Sequence, residues 1–108
     1  MSPDDRLQGT LDLLILRTVL EGPLHGWAIS RRIRERSGEV FQVNQGSLYP
    51  ALHRLEDEGW LVAEWTVAET GRRAKVYQLT AQGRRALARE ERGWLAFVSA
   101  VTQVLSPA

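Results

Sequence analysis

The hydrophobic period of the chain changes twice, and this restricts the fold more than any other feature. Up to about residue 58, apolar residues recur every three or four positions, as on one face of an α-helix. In 61–67 and 74–79 they alternate with polar residues, as in β-strands with one buried face. From residue 81 the helical period returns. A chain of 108 residues with this pattern is expected to form one small domain, mainly α with a small β-hairpin.

Two helices are predicted at the start of the chain. The first is the apolar run LDLLILRTVLE, which follows Thr10 and ends at Gly22-Pro23, because proline cannot continue a helix. The second is WAISRRIRERSG (27–38), with its apolar residues on one side and its arginines on the other. The residues before position 9 are expected to form a flexible arm.

A third helix is predicted within residues 47–58. Proline is tolerated in a first turn, so Pro50 places the start near Gln45 to Ser47, with either of these two residues as the cap. Three leucines at helical spacing are expected to face the core: Leu48, Leu52 and Leu55. The opposite face carries groups that can hydrogen-bond to bases or phosphates: Tyr49, His53 and Arg54.

The two alternating segments predict a hairpin with a basic tip. Six residues, AETGRR (68–73), join the strands, and Arg72, Arg73 and Lys75 lie at or beside the turn. Glu69 is the only carboxylate near these cations in the sequence. Two strands alone are marginally stable, so the hairpin is expected to pack on the helices.

A long final helix is predicted over 81–105, capped by Thr80. At this length it spans about 37 Å, more than a domain of this size can cover. Its apolar residues are spaced for packing between two helices, which predicts a dimer interface. The alternative, which is compatible with it, is packing on the first helix of the same chain. The predicted interface residues are Leu87, Trp94, Phe97, Val98, Val101 and Leu105. Gly93 leaves open a bend in mid-helix.

Composition and charge exclude several classes of protein. The absence of cysteine excludes disulfides, thiolate metal sites and thiol nucleophiles, and the two histidines, His25 and His53, argue against a metal centre. The sequence has no GxGxxG, GxxxxGK[ST], HExxH or GxSxG motif, so neither an enzyme nor a cofactor is predicted. There is no membrane-length apolar run and no secretory signal. The net charge is +1 overall but +4 over residues 66–92, which indicates a local anion site.

Three helices followed by a basic hairpin are the order of a winged helix-turn-helix, in which the third helix enters the major groove. The predicted contacts to double-stranded DNA are Gln45, Ser47, Tyr49, His53, Arg54, Arg72, Arg73 and Lys75. A winged helix that binds only protein is the main alternative, but it does not require three cations at one tip. A purely structural adaptor leaves the Tyr49–His53–Arg54 face without a role.

Three segments carry a resemblance to a known family: GTLDLLILRTVLEGPLHGWAI (9–29), SLYPALHRLEDEGWL (47–61) and RRAKVYQLTAQGRRAL (72–87). Together they resemble the PadR-type transcriptional regulators, and the likeness runs from about residue 7 to residue 105. It implies a cytoplasmic, bacterial, homodimeric DNA-binding regulator, usually a repressor, acting on a pseudo-palindromic operator.

The resemblance also implies a division of the chain. It has an arm (1–8), a winged helix-turn-helix domain (9–80) and a C-terminal dimerisation helix (81–108), as in the short PadR subgroup. Many relatives release DNA when they bind a small effector, in several cases an aromatic one. Trp94 and Phe97 are the candidate contacts for a flat aromatic ligand between subunits, although the chain has no separate effector domain.

Overall fold

Four helices and one small sheet make up the part of the chain that the computed structural model describes, with backbone from Pro3 to Pro107 and side chains from Thr10 to Pro107. The elements in chain order are α1 (Pro3–Val19), β1 (Leu24–His25), α2 (Gly26–Arg36), α3 (Gln45–Asp57), β2 (Leu61–Val67), β3 (Arg73–Leu79) and α4 (Ala81–Leu105). The mainly helical fold predicted from the sequence is confirmed, with one strand more than expected.

The first helix begins earlier than the sequence indicated. It starts at Pro3 instead of after Thr10, so residues 3–8 are helical and do not form an arm. Proline fits the first position of a helix, because its missing N–H has no intrahelical partner there. Residues 1 and 2 of the predicted arm lie outside the described residues.

The core lies where α1 meets α2, α3, α4 and the sheet. The fully buried side chains of α1 include Ile15 and Leu16, and those of α2 include Ile29. The three leucines of α3 are buried as predicted: Leu48, Leu52 and Leu55. This packing anchors α3 through one face and leaves its other face exposed.

The sheet contains three antiparallel strands in the order β1-β3-β2. The extra strand, β1, pairs Leu24 with Tyr77 and His25 with Val76. Two residues are too few to show a period, which is why the sequence did not indicate this strand. Because β3 is central, its Tyr77 is almost completely buried, at 1% exposure.

The outer half of the hairpin projects beyond the helices. In β2, Leu61 is buried and Ala63 half-buried, whereas Trp65 and Val67 on the same face are exposed. Every residue from 64 to 73 is exposed. We call residues 64–75 the wing. The predicted alternation is therefore correct, but the apolar face of β2 is buried or half-buried only in the inner half of the hairpin.

Side-chain caps define where the last two long helices start. The cap of α3 is Asn44, whose side chain accepts a hydrogen bond from the Ser47 backbone N–H at 2.9 Å, so neither Gln45 nor Ser47 is the cap. An Asn one residue before the helix places its oxygen correctly for this bond. The cap of α4 is Thr80, as predicted, and it accepts from the Gly83 backbone N–H at 2.9 Å.

Among the described residues, the buried positions of α4 all lie in its first two turns. Its buried residues are Gly83, Ala86 and Leu87. From residue 88 to residue 107 every side chain is exposed, and the helix continues through Gly93 without interruption. Leu87 belongs to the core of its own chain, at 4% exposure. It lies in α4, which α1 and β3 contact.

Candidate nucleic-acid interface

A groove between α3 and the wing brings together four of the eight residues predicted to contact DNA. Tyr49 and His53 from α3 form one wall, and Arg73 and Lys75 from β3 form the other. The groove has a volume of about 390 Å³. Hydroxyl, imidazole, guanidinium and ammonium groups from two separate elements thus share one open surface.

The position of Tyr49 depends on the first residue of α2. A Cβ atom added to Gly26 would lie 3.0 Å from Cε1 and 3.1 Å from the hydroxyl oxygen of Tyr49. The ring is half-buried against this glycine while it lines the groove. Tyr49 therefore packs between α2 and α3 and also faces the candidate interface.

The two cations of the groove lie over aromatic rings. The guanidinium of Arg73 lies 4.8 Å from the centre of the Trp65 ring. The Lys75 ammonium lies 5.8 Å from the same ring and 5.7 Å from the ring of Tyr77. In such contacts the ring attracts the cation electrostatically and restricts the long side chain.

Lys75 also has a carboxylate partner that the sequence did not reveal. Its Nζ lies 3.2 Å from Oε1 of Glu56, which reaches it from α3. The expectation that Glu69 alone could neutralise the wing cations is therefore wrong, because folding brings a residue 19 positions away beside Lys75. Burial raises the pKa of Tyr77, and the nearby Glu56 carboxylate raises it further.

Arg54 and Ser47 lie on the other side of α3. They line a second cleft, of about 330 Å³, together with Leu11 of α1. The Arg54 guanidinium donates to the Asp12 carboxylate, which also comes from α1. Gln45 is exposed at the start of α3 and lines neither cleft.

The arginines of α2 form an ion-paired surface. Each of the four is ion-paired: Arg31 with Glu35, Arg32 and Arg36 with Glu21, and Arg34 with Glu39. The hydrogen bond from Arg36 is the main reason that the pKa of Glu21 is lowered. By contrast, Arg72 and Arg73 form no salt bridge with any side chain from Thr10 to Pro107. Of these two sets of arginines, the set without carboxylate partners is therefore the one at the wing.

Two tryptophans on the groove were not identified from the sequence. Trp27 and Trp65 are 54% and 58% exposed. The apolar pattern of α2 does not distinguish Trp27 from Ile29 and Ile33, but the two isoleucines are buried and Trp27 is exposed. The ring of His25 stacks on Trp27 at 6.0 Å, and Nδ1 of His25 is buried without a hydrogen-bond partner among the described residues. For Trp65, the available signal was an aromatic residue in the hairpin whose tip carries the predicted cations.

The arrangement defines a class of protein. A three-helix unit presents the polar face of its third helix, and a basic hairpin projects beside that helix, as in winged helix-turn-helix DNA-binding proteins. Residues 15–89 match the Transcriptional regulator PadR-like family, and the chain belongs to this family. The resemblance noted in the sequence is confirmed. The protein is thus a DNA-binding transcriptional regulator of a non-enzymatic class.

Relatives with known sequences and structures are similar over most of the chain. A transcriptional regulator of Mycobacterium tuberculosis is 40% identical over 80 residues, covering 74% of this chain and 71% of the relative. The negative transcriptional regulator PadR of Bacillus subtilis is 31% identical over 71% of this chain but only 42% of its own length. The structure of a transcriptional regulator from Clostridium thermocellum superposes with a TM-score of 0.87 at 26% identity, covering 94% and 99% of the two chains.

The residues that the structure describes lack two other features. No helix among them is long and apolar enough to cross a membrane. They contain no group of three or more histidine, aspartate or glutamate side chains arranged to hold a metal ion.

Proposed function

We propose that the protein is a homodimeric repressor that binds a pseudo-palindromic operator in double-stranded DNA. In this proposal α3 lies in the major groove and the wing contacts a neighbouring phosphate or the minor groove. The observation that supports it most directly is the shared groove, in which Tyr49 and His53 of α3 face Arg73 and Lys75 of the wing. Winged-helix proteins use these two elements for base and backbone contacts.

The predicted DNA contacts fall into three groups. Tyr49 and His53 are the candidates for contacts to base edges, since they extend from the middle of the exposed face of α3. Arg72, Arg73 and Lys75 are the candidates for phosphate contacts. Gln45, Ser47 and Arg54 lie along the α1 side or at the start of α3, where a helix N-terminus favours phosphate.

The second copy in the proposed dimer packs on α4. The exposed half of this helix carries a continuous apolar stripe: Trp94, Leu95, Phe97, Val98, Val101, Val104 and Leu105. Such a surface on a single chain favours association, and heptad spacing suits a helix of the same kind. We therefore assign residues 9–80 to DNA binding and 81–108 to dimerisation, with the first two turns of α4 also completing the core.

Selection from a random duplex library tests this function. Bound sequences are expected to converge on two inverted half-sites, with centres separated by about one helical turn of DNA or a multiple of it. Repression is tested by fusing the selected sequence to a reporter gene in bacterial cytoplasm, where we place the protein. If the selected sequences stay random and the protein binds no duplex, the alternative of a winged helix that binds only protein is favoured.

We also propose a flat aromatic effector held between the two copies of α4. The rings of Trp94 and Phe97 lie 6.0 Å apart, inclined by 30°, on the exposed stripe. Planar aromatic ligands are expected to quench the fluorescence of Trp94 and to reduce operator binding. Trp94→Phe should remove most of the quenching, since the other three tryptophans lie outside α4. Quenching that is equal in the two proteins would contradict this site.

A further inference from the structure

Two of the cations predicted to contact DNA are already bound to carboxylates. Lys75 of the wing is paired with Glu56 of α3 at 3.2 Å, and Arg54 of α3 is paired with Asp12 of α1. In both pairs the carboxylate comes from a different element than the cation, so tertiary packing creates them. Arg72 and Arg73, at the tip of the same wing, have no such partner among the described side chains.

We infer that Glu56 and Asp12 act as internal competitors of DNA phosphate and limit the sequence-independent affinity of the protein. The inference rests on the proposed DNA-binding function. A carboxylate oxygen offers the same kind of acceptor to an ammonium or guanidinium group as a phosphate oxygen does. A phosphate must displace it before Lys75 or Arg54 can release counterions from DNA.

The surroundings of Lys75 strengthen this argument. Its side chain is only 28% exposed and that of Glu56 is 25% exposed, so the pair is partly shielded from solvent. The ammonium is also near the rings of Trp65 and Tyr77. Lys75 is thereby held in the groove, and random DNA that makes only backbone contacts gains little from displacing Glu56.

The two kinds of cation consequently have different roles. Among the described side chains, Arg72 and Arg73 have no carboxylate that a phosphate must displace, although the Arg73 guanidinium lies over the Trp65 ring. They supply the general attachment to any duplex. Lys75 and Arg54 contribute only when a DNA site fits closely enough to replace their carboxylates. Glu56 and Asp12 are therefore specificity-determining residues that do not themselves contact DNA.

Charge-neutralising variants test the inference on a random duplex that lacks the operator. Glu56→Gln is expected to raise affinity for this duplex by up to about fivefold, because a surface pair of this kind contributes at most about 1 kcal/mol. It should also steepen the salt dependence by about 0.9, the value for one added phosphate contact. Asp12→Asn should act in the same direction through Arg54.

Two controls separate this effect from a general change of charge. Glu91→Gln, on the exposed middle of α4, changes the net charge equally and should leave both quantities unchanged. In a Lys75→Gln background, Glu56→Gln should give no gain, because the cation that it releases is absent. Thermal unfolding establishes that each variant is folded, and if Glu56→Gln does not fold, Asp12→Asn decides the question.

The result that overturns the inference is a folded variant whose affinity for random duplex is unchanged or lower. That result would make the carboxylates positioning groups for the wing or for α3. It differs from failure of the proposed function, in which the unaltered protein itself binds no duplex.

Discussion

At the residue scale, a few side chains serve both the fold and the candidate interface. Tyr49 packs against Gly26 and lines the groove, and Tyr77 forms part of the core while its ring lies under Lys75. Substitutions that remove a whole ring would therefore mix loss of packing with loss of binding. Removing a single hydroxyl separates the two effects.

Tyr49→Phe is expected to weaken operator binding and leave binding to random duplex unchanged. The variant keeps the ring that packs on Gly26 and loses only the group that can hydrogen-bond to a base edge. Loss of one direct base contact costs about 1–3 kcal/mol. Fluorescence anisotropy with both duplexes measures the difference. Equal losses on the two would assign Tyr49 to a phosphate contact.

Tyr77→Phe is expected to reduce the loss of stability at high pH. Burial raises the pKa of Tyr77 above its ordinary value of 10.0, so the fold favours the neutral form. This contribution is complete below 10.0 and is lost as the pH rises through the folded-state pKa. Urea unfolding from about pH 9 to about pH 11 should show a smaller decline in the variant than in the unaltered protein. Identical declines would contradict the assignment.

At the element scale, short connections hold the helices and the wing in place. Thr80 donates from its hydroxyl to the Gly59 carbonyl at 2.6 Å while it caps α4, and so it ties the end of α3 to the start of α4. Gly83 lies in the same contact, where an added Cβ would be 2.1 Å from the Trp60 carbonyl oxygen. Every residue of the outer wing, from 64 to 73, is exposed, and in the proposed function these residues act through charge instead of packing.

Gly83→Ala is expected to destabilise the protein, by about 1–3 kcal/mol or more, because its Cβ would overlap a backbone oxygen that cannot move freely. Gly93→Ala is the matched control in the same helix. Apart from its two neighbours and the backbone of its own helix, no atom of the described residues lies within 4 Å of its Cβ position. Alanine also favours a helix by up to about 1 kcal/mol over glycine. Urea unfolding should show opposite signs for the two variants; a neutral Gly83→Ala would contradict the close contact.

Replacing Arg72 and Arg73 together with alanine is expected to lower affinity for operator and random duplex alike. The salt dependence should become shallower by up to about 1.8, since each phosphate contact contributes about 0.9. Folding should change little, because exposed charges contribute only about 0–1 kcal/mol. Arg32→Ala with Arg34→Ala is the matched control, as both are ion-paired on α2. Unaltered affinity and slope in the wing variant would favour a protein partner.

At the scale of the whole molecule, one end is a packed domain and the other end is the exposed part of α4. The principal dimensions of 60 × 28 × 21 Å reflect the part of α4 that extends beyond the core. Its exposed side chains include the large apolar residues Trp94, Phe97 and Leu105. Covering this surface with a second copy would also set the distance between two DNA-reading helices.

Trp94→Arg is expected to convert the proposed dimer into monomer, because it places a charge in an apolar interface. Sedimentation velocity at micromolar concentration measures the change. Ser99→Arg adds the same charge about 140° around the helix from Trp94 and should leave the dimer intact. A monomeric unaltered protein, or equal effects of the two variants, would refute this interface.

Much of the fold followed from local patterns. The alternation in 61–67 and the Thr80 cap predicted β2 and the start of α4, because both signals depend on residues adjacent in sequence. Local signals failed where they were short or ambiguous. Two residues of β1 show no period, and Pro50 placed the start of α3 only to within a turn, so it did not identify Asn44 as the cap.

The sequence by itself determined the order of elements, the buried face of α3 and the cations at the wing tip, since periodicity and residue type express these directly. Only the tertiary structure decided how the charges pair. It placed Glu56 beside Lys75, Asp12 beside Arg54, and Leu87 in the core of its own chain. The physical reason is that an ion pair or a core contact depends on distance in space, and folding brings together residues that are 19 and 42 positions apart.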